Sequence, residues 1–151
     1  ADPQRRQPQP QPVLTMRLEL PGEEALSASL GYGGTLLAVG TSKARVSFFD
    51  LRHAAPGGRP TGALMGSYVD AHTEEVTRVR FQPLAGGVTV LATAAEDGLI
   101  AVHDPSKPSE EEALVSVLNV GAPLRDVGFF GPALEGAYAL TGSETLSVHH
   151  W

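Results

Sequence analysis

Apolar residues recur along this chain in short runs, each closed by a cluster of Gly, Pro, Asn, Asp or Ser. Sustained recurrence at helical spacing is absent. Short runs with alternating polarity between turn residues are the mark of strands rather than helices. The pattern predicts twelve strands, at residues 13–20, 26–32, 36–41, 45–51, 63–68, 76–82, 88–94, 99–104, 113–119, 124–130, 136–141 and 146–151. Connections carry Gly33-Gly34, Gly86-Gly87, Asp97-Gly98 and Gly131-Pro132, residue types that tight turns need for positive or fixed φ. The best helical stretch, 109–118, turns quickly into strand alternation. Residues 1–12 are rich in Pro and Gln with Arg5 and Arg6 adjacent, and read as a solvated, extended linker or loop.

Three of these segments resemble one another. VLATAAEDGLIAVHD (90–104) has an apolar run, a Glu-Asp-Gly turn, an alternating strand and an aromatic ending followed by Asp. LLAVGTSKARVSFFD (36–50) and ALTGSETLSVHHW (139–151) are built similarly. Aligned on the turn, their aromatic ends fall on Phe49, His103 and Trp151, spaced by 54 and 48 residues. Self-similarity at this period, with short connections between strands, is the signature of propeller blades. Three units follow, at 26–68, 76–119 and 124–151, the last with three strands, and residues 13–20 are left as an outer strand without a blade.

The middle unit carries the most specific pattern: His72 after a small residue, the strand VTRVRFQP, Thr93 on the next strand, Asp97 in the turn, and His103-Asp104 at the end. This resembles the WD-repeat (WD40) β-propeller family. The resemblance implies a hydrogen-bond network joining His72, Thr93, Asp97 and His103, with His103 standing where the repeat has Trp. An imidazole there fills less volume than an indole but can donate one hydrogen bond to Thr93. The flanking units depart further. Val39, Lys43 and Phe49 occupy the Ser/Thr, Asp and Trp positions of the first, so hydrophobic layers must hold it together. In the third, Thr141 and Trp151 fit while Thr145 replaces Asp. Within the family, AHTEEVTRVRFQP, EDGLIAVHDPS, the acidic EEEALVS and the ending HHW are most similar to the central part of WD-repeat-containing protein 89-like proteins. The expected fold is therefore all-β: four-stranded antiparallel meander blades of a propeller, about three of them, in an incomplete ring spanning 13–151.

Composition narrows the function. With 17 acidic and 11 basic residues the formal charge is −6, which disfavours a broad nucleic-acid surface. There is no cysteine, so disulfides, thiolate catalysis and cysteine-ligated zinc are absent; this is compatible with an intracellular protein, cytoplasmic or nuclear. No apolar run is long enough for a membrane helix. The beginning, ADPQRRQPQPQP, has no apolar signal region and no initiator Met, and reads as starting inside a longer frame. His72 with Asp97 makes a His–Asp pair, but no motif places a nucleophile beside it and no G-x-S-x-G elbow exists. His149 and His150 are strand neighbours pointing to opposite faces, unable to chelate one ion. Glu110–Glu112 read as a solvated acidic loop, without the fixed oxygen cage calcium requires. No cofactor, metal or catalytic residue is expected.

The function expected is a non-catalytic scaffold binding proteins or peptides, its contacts drawn from loops near 53–62 and 107–112. Tyr68 and Trp151 are the tempting aromatic anchors but suit blade packing. The rival from another class is a propeller hydrolase using His72 or His103 with acidic partners; a β-sandwich binding domain is disfavoured by the repeated register. A ring needs four or more blades, so the remaining blades come from a longer chain or a second copy, the latter lending its 13–20 strand to the unfinished third blade.

Overall fold

The computed structural model of the protein describes residues 9, 15–52, 63–83 and 89–150. Among the described residues, eleven strands form three antiparallel meanders. Sheet one is β1 (Ala25–Gly31), β2 (Leu36–Thr41), β3 (Val46–Asp50) and β4 (Ala63–Tyr68), hydrogen-bonded in chain order. Sheet two is β5 (Val76–Phe81), β6 (Leu91–Ala95), β7 (Leu99–His103) and β8 (Leu114–Asn119), also in chain order. Sheet three has β9 (Leu124–Phe130), β10 (Gly136–Thr141) and β11 (Leu146–His150). One helical turn, α1 (Glu110–Ala113), precedes β8. The sheets stack face to face like successive slices, and the first strands β1, β5 and β9 converge.

Their packing explains the hydrophobic pattern. Ala38, Val46 and Phe48 of sheet one meet Val76, Val79, Phe81 and Leu91 of sheet two. On the opposite face of sheet two, Ala92, Ala94, Ile100 and Val102 meet Leu124, Val127 and Ala139 of sheet three. Sheet two is covered on both sides, so every residue of β6 is buried and its sequence LATAA shows no alternation. Sheet three is covered on one side. Its last strand alternates accordingly, exposing Leu146, Val148 and His150. Close stacking also fixes Gly40 in β2: a Cβ there would lie 2.8 Å from the Val76 carbonyl oxygen of β5.

Neighbouring sheets are joined by side chains at their convergent edges. The β5 amides of Val79 and Phe81 have no strand partner on that side; they donate to Ser27 Oγ (3.1 Å) and Ser29 Oγ (3.0 Å) of β1. Thr77 Oγ1 donates to the Leu124 carbonyl at 2.7 Å, tying β5 to β9. Gln82 Nε2 donates to the Leu134 carbonyl at 2.9 Å, at the other end of the same seam.

Several expectations are corrected. Among the described residues 15–20 there is only an isolated bridge at Arg17, where a strand was expected over 13–20. Tyr32 leaves β1 for a single 3₁₀ turn, with φ of 51°. The acidic run is not a loop: Ser109 Oγ accepts the Glu112 N–H at 3.2 Å and caps α1. Residues 1–8 and 10–14, the 53–62 connection, residues 84–88 and Trp151 lie outside the described residues, and so do the linker, loop-contact and Trp151 readings placed there.

The third unit is also shifted against its expected alignment. Thr93 faces Ala101 across β6 and β7, as Val39 faces Ser47 in sheet one and Ala139 faces Ser147 in sheet three. His103, Phe49 and His149 are likewise equivalent, each opposite the residue two before that position: Leu91, Leu37 and Ala137. Ala139 and His149, rather than Thr141 and Trp151, therefore occupy the Ser/Thr and aromatic positions. Thr141 serves the turn instead, its Oγ1 accepting the Thr145 N–H at 3.1 Å.

Candidate functional site

The polar centre of the molecule is assembled by sheet two and the segment leading into it. Asp97 sits in the β6–β7 turn, where Gly98 adopts φ of 81° and lets the chain reverse. Its carboxylate accepts the Leu99 N–H (2.9 Å, Oδ1) and the Thr73 N–H (2.9 Å, Oδ2). His72 Nδ1 lies 3.2 Å from Oδ2, and His72 Nε2 lies 2.7 Å from Thr93 Oγ1. Burial lowers the His72 pKa, against the raising influence of Asp97. The neutral ring therefore donates Nδ1–H to Asp97, and Nε2 accepts the Thr93 hydroxyl proton. The longer approach of Thr93 Oγ1 to the Ala101 carbonyl, 3.3 Å, is secondary because a hydroxyl has one proton.

His72, Thr93 and Asp97 are thus brought together, and His103 is not. It is fully buried, yet neither ring nitrogen has a hydrogen-bond partner among the described residues. Thr93 lies opposite Ala101, whereas His103 lies opposite Leu91, and the imidazole is too short to reach back. Its ring packs on Tyr68 instead, with centroids 4.6 Å apart. Burial, assisted by the neighbouring His72, pushes the His103 pKa down to about 4. Burial and the Glu110 charge push Tyr68 up to about 12. Phe48 meets Tyr68 edge-on, with centroids 4.7 Å apart.

One site residue was not anticipated. Glu110, projecting from α1, accepts three consecutive backbone N–H groups of the connection between sheets one and two: Val69 (2.7 Å), Asp70 (3.0 Å) and Ala71 (2.9 Å). It fixes the residue immediately before His72. The S-x-x-E pattern of Ser109 to Glu112, a helix-start signature, was the available signal.

No metal-binding cluster of three or more His, Asp or Glu side chains occurs among the described residues. His149 bonds to Ser147 and His150 packs against Phe130 at 5.3 Å, so the two histidines face opposite ways. Among the described residues no helix is long and apolar enough to cross a membrane.

Comparison with known proteins gives the same architecture. The chain is 31% identical over 120 residues to a WD repeat-containing protein 89 homolog of Dictyostelium discoideum, covering 80% of this chain and 30% of that protein. The chain belongs to the WD-repeat propeller family. A second WD-repeat relative, protein GTS1 of Arabidopsis thaliana, is 29% identical over 130 residues, covering 85% of this chain and 31% of the relative. A chain in the crystal structure of a mitotic checkpoint complex superposes with a TM-score of 0.68 at 12% identity, over 87% of this chain and 35% of that one. No protein-family model matches. These three WD-repeat sheets therefore span about a third of the length of the relatives they match.

Proposed function

We propose that this WD-repeat chain is a non-catalytic scaffold for protein or peptide partners. The observation that carries the reading is the burial of the one arrangement with catalytic form among the described residues. Thr93, His72 and Asp97 line up as hydroxyl, imidazole and carboxylate, the order of a hydrolytic triad. Thr93 has no exposed surface and His72 has 4%. Both Asp97 oxygens also hold backbone N–H groups of the turns they join. A nucleophile must meet a substrate carbonyl at close range, which a hydroxyl packed between sheets does not do. The network supports a bracing role, and the stacked sheets a rigid frame for exposed loops. Assembly of the fold neighbour within a multiprotein complex fits the same use. The cysteine-free composition supports an intracellular setting, cytoplasmic or nuclear.

The test pairs two assays on the full-length protein: reconstitution with purified partners identified by cross-linking in cells, and turnover of ester and phosphoester substrates. Direct partner binding without turnover is expected. Turnover abolished by His72→Ala in a protein that still folds would establish the hydrolase instead.

A further inference from the structure

Two of the chain's eleven basic residues lie close together on β5, in a chain whose net charge is −6. Arg78 and Arg80 lie two residues apart on β5, on the face opposite buried Val79 and Phe81. Both reach one carboxylate oxygen of the next sheet: Asp126 Oδ1 is 3.0 Å from Arg78 Nε and 3.3 Å from Arg80 Nη2. The same oxygen already accepts the Val127 N–H at 2.9 Å. Arg78 Nε makes a charge contact without hydrogen-bond alignment, since that nitrogen lacks a bonded partner among the described residues. One carboxylate thus stands against two guanidinium groups, and both arginine side chains remain 41% exposed.

We propose that Arg78 and Arg80 form a docking point for an acidic segment of a protein partner. This rests on the scaffold reading above. Side chains two apart on a strand are about 7 Å apart, the spacing of alternate side chains along an extended peptide. Each guanidinium fork can take a carboxylate in two parallel hydrogen bonds. Asp126 acts as an internal stand-in for the charge of both arginines until a partner carboxylate competes. An acidic peptide fits better than nucleic acid, because two arginines can meet one or two carboxylates but do not make the broad phosphate-neutralising patch that nucleic acid needs.

The test measures fluorescence anisotropy of a labelled oligoglutamate peptide with the full-length protein, against oligoglutamine and a single-stranded oligonucleotide. Selective oligoglutamate binding is expected, weakened roughly tenfold or more by R78Q/R80Q and strengthened by Asp126→Asn, which removes the competing carboxylate. Should R78Q/R80Q fail to fold, Arg80→Gln and Asp126→Asn carry the opposite expected shifts. Absence of oligoglutamate binding, unchanged affinity in a folded R78Q/R80Q protein, or tighter binding of the oligonucleotide would overturn the site. A purified partner bound equally by wild type and R78Q/R80Q would sink this docking point while leaving the scaffold reading intact.

Discussion

His103 shows how one side chain sets a local energy balance. Two polar atoms are enclosed without partners, a cost of about 1–3 kcal/mol for each unsatisfied group. Replacing His103 by Phe keeps the stack on Tyr68 and removes both atoms, so the variant is expected to be more stable by roughly 1–3 kcal/mol in denaturant titration. The pH dependence follows from the direction of the shift. With the folded pKa near 4, below the ordinary 6.5, the unfolded chain binds more protons between those values. Stability is then full above pH 6.5 and falls as pH drops toward 4, by about 3 kcal/mol for this residue. His72, also lowered, adds to the fall in the same sense. The His103→Phe protein should show a flatter profile over that window, and an unchanged slope would assign the loss elsewhere.

The elements repeat a turn whose chemistry is correct in one copy and strained in two. Gly98 in the β6–β7 turn is replaced by Ala44 in the first sheet and Glu144 in the third, and both adopt positive φ, 59° and 63°. A non-glycine residue in that region costs about 1–2 kcal/mol. Ala44→Gly and Glu144→Gly should therefore each raise stability by about 1 kcal/mol, read as a higher melting temperature. The connection held by Glu110 makes the opposite case. Glu110→Ala leaves three amides of Val69–Ala71 without their acceptor, and a loss of about 1–2 kcal/mol is expected with faster proteolysis between sheets one and two. Wild-type resistance in that variant would show that water replaces the carboxylate at no cost. Turn position and strand order were legible because Asp97-Gly98 and the apolar runs are local signals. The role of Glu110 was not: it depends on a contact spanning some forty residues, and charge composition alone read it as solvated.

For the whole molecule, the three-sheet plan could be read from the spacing of similar segments, and the bracing of His72 by Asp97 and Thr93 was implied by the resemblance of the middle unit to the WD repeat. The third unit misled because HHW offered three candidate endings, and only strand pairing shows that His149 is equivalent to His103. The part of His103 failed for a steric reason, the short reach of imidazole across the pleat. The seam of Ser27 and Ser29 was invisible, since serine on a strand carries no signal until a neighbouring sheet arrives. Those hydroxyls make the amides of Val79 and Phe81 a clock. Their deuterium uptake should be slow only while sheets one and two stay docked, and should quicken in a Ser27→Ala, Ser29→Ala protein ahead of the amides inside β6. Two protons would then time the parting of neighbouring blades, separately from the melting of either one.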